Sequence, residues 1–105
     1  VDGCVVANDG DTSRARKMRV RLLTLRSPGL LLTSQPAQDF PGGGFWFDRV
    51  LADVPCTGDA TMRKNPSTWQ AWAGVRARGM HGVQLSILLR GLELLKPGGK
   101  LVYST

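Results

Sequence analysis

Short apolar runs alternate along the chain with stretches in which apolar side chains recur every three or four positions. Gly3-Cys4-Val5-Val6-Ala7 is an apolar run that stops at Asn8-Asp9 and predicts a buried strand. Asp11, Thr12 and Ser13 then offer side-chain oxygens that can cap a helix. Behind them Ala15, Met18, Leu22 and Leu25 repeat at helical spacing, while Arg14, Arg16, Lys17, Arg19 and Arg21 fill much of the rest. This predicts an amphipathic helix with a basic outer surface, ending before Ser27-Pro28-Gly29. Leu30-Leu31-Leu32-Thr33 predicts a second buried strand. A long loop follows, holding Pro36, Pro41 and Gly42-Gly43-Gly44. Phe45-Trp46-Phe47 reads as an apolar lid on a sheet edge. Phe47-Asp48-Arg49-Val50-Leu51-Ala52-Asp53 reads as a strand that delivers Asp53 to its carboxyl end.

Val54 to about Pro66 lacks periodic apolar residues and predicts an irregular segment. Helical spacing returns from about Ser67, with Trp69 and Trp72 three apart. A longer segment then places Met80, Val83, Ile87, Leu88, Gly91 and Leu95 on one apolar face. Lys96-Pro97-Gly98-Gly99 should stop that helix, because proline cannot continue it and glycine accepts left-handed angles. Lys100 to Thr105 is the last predicted strand. Strands alternating with helices argue for an α/β sheet with crossover helices. In open sheets of this kind ligands bind beyond the carboxyl ends of the strands.

Composition narrows this only a little. At 105 residues the chain has room for one core. Fourteen Lys and Arg against eight Asp and Glu leave a net charge of +6, which favours a polyanionic partner. The plain alternative is an ordinary basic surface. Cys4 and Cys56 make neither a disulfide framework nor a metal-type spacing, and no metal is expected. With no apolar run of membrane length, the chain reads as soluble and intracellular. It begins with Val, and its final strand ends without a turn, so both ends read as cut.

The sharpest chemistry lies in Asp53-Val54-Pro55-Cys56-Thr57-Gly58-Asp59, continuing to Met62-Arg63-Lys64-Asn65-Pro66. A carboxylate at a strand end, a stiffening proline and a thiol three residues on suit methylation at carbon 5 of a pyrimidine. That carbon is a poor nucleophile until a thiolate adds to carbon 6 and makes the ring behave as an enamine. A carboxyl group near ring nitrogen 3 can stabilise the developing charge, and a base must later take the proton from carbon 5. On the residues alone Cys56 would be the nucleophile. The structural alternative makes Cys56 an inert turn residue and Asp53 a strand-end cap.

The run from Asp53 to Pro66, with Trp69, Trp72, His81-Gly82-x-Gln84, Pro97-Gly98-Gly99 and Tyr103-Ser104-Thr105, resembles the Nop/Sun family of RNA 5-methylcytosine methyltransferases. It looks most like the eukaryotic tRNA-modifying branch. The resemblance implies a class I, Rossmann-like, doubly wound methyltransferase sheet, lacking its first strand and the end of the domain. It implies S-adenosyl-L-methionine as cofactor, RNA (tRNA in that branch) as partner, and a nuclear or nucleolar location with the cytoplasm as the alternative. It gives Cys56 the part of assisting product release, and Asp53 contact with the target base and the cofactor region. Thr105 matches the Thr of a Thr-Cys pair, so the nucleophile is expected directly after it.

For the cofactor, the resemblance selects Asp9 as the acid that grips the ribose, with Asp11 second. Both have helix capping as their structural alternative. Pro36 stands where the family carries an acid, and Asp39 lies three residues away. The family's glycine-rich loop is expected before Val1. Arg63 and Lys64 fit phosphate contacts beside the target base; a solvated loop is their alternative. Trp69 and Trp72 suit either base stacking or core packing, and His81 reads as structural. A fragment of this kind is expected to be inactive and poorly stable by itself. Two other readings stay open, an inactive RNA-binding module derived from the same family and an enzyme methylating exocyclic amino groups, although the latter needs no thiol.

Overall fold

A computed structural model of the chain describes residues 3–42, 44–70 and 74–105. It is a mixed α/β structure with two compact units, Val1–Pro41 and Gly42–Thr105.

In the first unit, strand β1 (Val5–Asn8) is followed by helix α1 (Thr12–Leu23) and strand β2 (Leu30–Thr33). The strands are parallel, Val5 opposite Leu30 and Asn8 opposite Thr33. Parallel neighbours need a crossover, and α1 supplies it. Asp11 caps α1 by accepting the Arg14 amide at 2.9 Å. Ala15 is buried and Met18 and Leu22 are half-buried, whereas the arginines and Lys17 are exposed. The helix ends sooner than its apolar repeat suggested. The Thr24 hydroxyl turns back to the Arg21 carbonyl at 2.6 Å, and Leu25 lies outside the helix, exposed. Beyond β2, a single 3-10 turn spans Ala37–Asp39.

In the second unit, strand β3 (Phe47–Asp53) pairs in parallel with strand β4 (Leu95–Ser104). A short helix α2 (Ser67–Gln70) and a long helix α3 (Gly74–Glu93) belong to the crossover between them. α3 packs on both strands at Gly91. A β-carbon there would come within 2.9 Å of Leu101 Cδ1 and 3.4 Å of Val50 Cγ1, so a bare backbone lets the layers close. Ala52, Val54, Leu94 and Leu95 are buried. Successive strand residues face opposite ways. Leu51 and Val102, neighbours of Val50 and Leu101, therefore lie on the other sheet face and remain 71% and 59% exposed.

Two sequence expectations change here. β4 begins at Leu95, not Lys100, so Leu95 is a strand residue rather than part of a helical face. The Leu94 carbonyl accepts the Trp46 and Phe47 amides, both at 3.0 Å, and Leu95 then pairs with Phe47. Lys96-Pro97-Gly98-Gly99 forms an irregularity inside the strand before the register resumes at Arg49 and Lys100. Proline has no amide to give the ladder, which suits a bulge there. The expected lid is also absent. Phe45 and Trp46 are exposed on the approach to β3, and Phe47 is its first residue. Trp72 and the side chain of Trp69 lie outside the described residues.

Candidate functional site

The carboxyl ends of β3 and β4 lie side by side. Asp53 is the register partner of Ser104, and the Val54 amide donates to the Ser104 carbonyl at 3.0 Å. Ala52 and Val54 are buried while Asp53, Pro55 and Cys56 are exposed. The sheet therefore anchors the loop through alternate apolar residues and leaves its acid and thiol facing out. Cys56 is a free thiol.

Helix α3 adds a tie that sequence reasoning missed. The Gln84 side-chain amide donates to the Pro55 carbonyl at 2.8 Å and to the Thr105 hydroxyl at 3.4 Å. One side chain thus joins the Asp53–Cys56 loop to the end of β4. Gln84 stood out in the sequence only as part of the His81-Gly82-x-Gln84 pattern. That pattern was the available signal, but it carried no role. His81, one turn earlier, is exposed.

The loop beyond Cys56 is built from tight turns. Gly58 has φ +76°, a left-handed conformation that favours glycine. Its carbonyl accepts the Thr61 amide at 2.8 Å and the Thr61 hydroxyl at 2.6 Å. The Thr61 carbonyl in turn accepts the Lys64 and Asn65 amides at 2.9 and 2.8 Å. Asn65 leads into α2, accepting the Thr68 amide at 3.0 Å on its carbonyl and the Ser67 hydroxyl at 2.6 Å on its side chain. Arg63 and Lys64 stand exposed on this turn, as phosphate contacts require.

The first unit gathers polar groups at its own strand ends. Asn8 accepts the Thr33 hydroxyl at 3.0 Å and the Gln35 amide at 3.3 Å, and donates to the Gln35 carbonyl at 2.9 Å. Asp9 follows at the end of β1. Its Oδ1 accepts the Asp11 amide at 2.8 Å and Arg14 Nε and Nη2 at 3.2 and 2.8 Å. That bond holds the Arg14 guanidinium more firmly protonated. Asp11 serves as the helix cap, and the Arg14 amide it accepts is the main cause that holds its carboxyl below the usual range. Pro36 immediately precedes the 3-10 turn and accepts the Asp39 amide at 3.0 Å; Asp39 is exposed.

Away from these loops, Lys96 donates to Asp48 at 2.9 Å and holds that carboxyl below its usual range. Among the described residues, no cluster of three His, Cys, Asp or Glu could hold a metal ion, and no helix is long and apolar enough to cross a membrane.

The family model described as 16S rRNA methyltransferase RsmB/F matches residues 1–105. The chain is 43% identical, over its whole length, to the multisite-specific tRNA:(cytosine-C(5))-methyltransferase trm4b of Schizosaccharomyces pombe. Over 98% of its length it is 46% identical to the multisite-specific tRNA:(cytosine-C(5))-methyltransferase of Saccharomyces cerevisiae. Over 98% it is also 42% identical to the tRNA (cytosine(34)-C(5))-methyltransferase of Drosophila melanogaster. It spans 18%, 17% and 15% of those three proteins.

Proposed function

Because the chain belongs to the 16S rRNA methyltransferase RsmB/F family, we propose that it carries the target-base part of a site that methylates carbon 5 of cytosine in RNA. The observation that carries this reading is the placement of Asp53 and Cys56 on one exposed loop beside Ser104 and Thr105 at the end of β4. tRNA is the substrate class proposed, since the three relatives are named for it. The sheet is a doubly wound class I sheet on this reading. The parallel pairing of β3 and β4 supports it, as do Leu51 and Val102 on the face away from α3, because parallel sheets are covered on both faces.

The cofactor proposed is S-adenosylmethionine, and the β1 end suits its ribose. Asp9 is a half-buried acid at the carboxyl end of a parallel strand, able to accept hydroxyl donors once Arg14 yields Oδ1. When bound, S-adenosylmethionine supplies an electrophilic methyl group.

Addition of a thiolate to carbon 6 would move the electron pair of the 5,6 double bond to carbon 5, readying that carbon for the methyl group that S-adenosylmethionine would supply. Family resemblance assigns that thiolate to the residue directly after the Thr matched by Thr105. Asp53 faces ring nitrogen 3, where a carboxyl proton donated to the ring offsets the negative charge that builds as carbon 6 is attacked. Cys56 assists the last stage, in which a base takes the carbon 5 proton, its bonding pair re-forms the double bond and the carbon 6 thiolate is expelled. Arg63 and Lys64 hold flanking phosphates.

The test is a chimera in which this chain replaces the matching segment of the S. cerevisiae relative. It should transfer labelled methyl groups from S-adenosylmethionine to cytosine in tRNA, and Asp53→Asn should abolish the transfer. A folded chimera that binds tRNA and transfers none would leave the inactive RNA-binding module as the better account.

A further inference from the structure

We infer that Gln84 is a positioning residue: its donor hydrogen bonds tie the Cys56 loop to the end of β4 and so set where the Cys56 thiol stands during turnover. This rests on the methyltransferase reading above.

The geometry is specific. The Pro55 carbonyl belongs to the peptide plane from which Cys56 departs, so holding that oxygen fixes the plane. The Pro55 ring already restricts its own φ. Val54, one residue earlier, is fixed by its amide bond to the Ser104 carbonyl and by its burial. The two peptides leading to the thiol are thus both anchored, one through the sheet and one through α3. The anchor on α3 is stiff because Gly91, two turns on, seats that helix directly against Val50 and Leu101.

A glutamine suits the task for a chemical reason. Its amide carries two protons on one nitrogen, and both neighbours, the Pro55 carbonyl and the Thr105 hydroxyl, are acceptors. Accepting from Gln84 leaves the Thr105 hydroxyl its own proton to donate elsewhere. A glutamate in the same place would present a carboxylate to the Pro55 carbonyl. A methionine would fill the space with no donor. A lysine would keep a donor on a long stem.

The test uses the S. cerevisiae chimera, in which alkylation of Cys56 is followed on its own peptide by mass spectrometry. Cys56 alkylation by iodoacetamide and exchange of the Val54 amide are measured for the parent and for Gln84→Met, Gln84→Glu and Gln84→Lys. Gln84→Met and Gln84→Glu should each change the alkylation rate by about threefold or more and speed Val54 exchange roughly fivefold, the scale of one lost hydrogen bond. Gln84→Lys should stay within about twofold of the parent, because the donor survives. A side chain needed only for packing would not follow donor chemistry in this way. Equal rates in the parent and Gln84→Met would overturn the inference, and so would equal changes in Gln84→Met and Gln84→Lys.

In the S. cerevisiae chimera, Gln84→Met should retain tRNA binding while the covalent enzyme–RNA adduct accumulates on ordinary cytosine, because release slows. A chimera without Gln84 substitutions that transfers no methyl group would sink the methyltransferase reading and the turnover half of the inference. Unchanged Cys56 chemistry in Gln84→Met would sink the inference alone.

Discussion

Arg14 holds a single oxygen of Asp9 with two of its nitrogens, Nε at 3.2 Å and Nη2 at 2.8 Å. The Asp11 amide reaches the same oxygen at 2.8 Å, so three donors converge on Asp9 Oδ1. The pair is open to water, with the Arg14 side chain 69% exposed and that of Asp9 24%. An ion pair of that kind contributes about 0–1 kcal/mol. Two hydroxyl-to-carboxylate bonds, at about 1.5–3 kcal/mol each, outweigh it. On the proposed cofactor reading, Arg14 is therefore a competitor that a ribose would displace.

Replacing Arg14→Gln in the S. cerevisiae chimera should tighten S-adenosylmethionine binding by up to about fivefold, the most that an exposed ion pair can withhold. Asp9→Ala should weaken it by about tenfold or more, since both hydroxyl bonds are lost. Calorimetric titration measures both. Weaker binding in Arg14→Gln would mean that Arg14 orients Asp9 instead of competing for it.

Asp11 gives α1 a pH signature. Its carboxyl is held below its ordinary range, chiefly because it accepts the Arg14 amide. A depressed folded value means that the stabilisation stands fully above the unfolded value and is lost as pH falls through the folded one. Asn also caps helices but does not titrate. In the S. cerevisiae chimera, the melting-point advantage of the parent over Asp11→Asn should be constant from about pH 7 to about pH 5 and shrink below about pH 4. The Asp48–Lys96 pair is common to both chains and cancels. An advantage that persists unchanged to about pH 2.5 would remove the charged cap as its cause.

Much of the fold was legible where a local signal agreed with the long-range pairing. The run from Phe47 to Asp53 reads as a strand, and β3 has those limits. Asp11 reads as a cap, and it caps α1. The start of β4 was hidden because Lys96-Pro97-Gly98-Gly99 carries every mark of a helix stop, while the pairing of Leu95 with Phe47 is decided 48 residues away in the chain (95 − 47). Phe45 and Trp46 were misread as a lid because an aromatic cluster in sequence says nothing of whether a surface lies opposite it. In the candidate site, the position of Asp53 at a strand end, with Cys56 on the loop beyond it, was readable from the apolar run before it. Gln84 was not, since helical periodicity assigns a face but not a partner 29 residues away. The Asp9–Arg14 pair was missed for a different reason, because Asp9 reads as a ribose ligand or a helix cap and neither reading supplies a side-chain partner five residues on.

Gly58 supports the loop that presents Arg63 and Lys64. At φ +76° a β-carbon is strained, and it would also lie 3.2 Å from Thr61 Oγ1, the hydroxyl that closes the turn. Gly58→Ala should lower unfolding stability by about 1–2 kcal/mol, the cost of a left-handed non-glycine residue. Urea unfolding followed by fluorescence measures it, and a loss below about 0.3 kcal/mol would show that the turn relaxes without strain.

The same turn makes a prediction about RNA that separates charge from base contact. Arg63 and Lys64 are exposed, and neither takes part in the ion pairs seen at Asp9, Asp48 and Glu93. Each is thus available to neutralise one phosphate and release its counterions. Binding of single-stranded RNA by the S. cerevisiae chimera should weaken linearly on a logarithmic salt scale. Removing one cation should reduce the slope by about 0.7, and Arg63→Ala with Lys64→Ala together by about 1.4. The loss should be uniform across sequences, because phosphates carry no base identity. Asp53→Asn makes the contrasting case. On the proposed reading Asp53 addresses the ring and not the backbone, so this variant should leave the salt slope in place while reducing the preference for cytosine over uracil at the target position. A salt slope unchanged in the double variant would return Arg63 and Lys64 to the solvated surface.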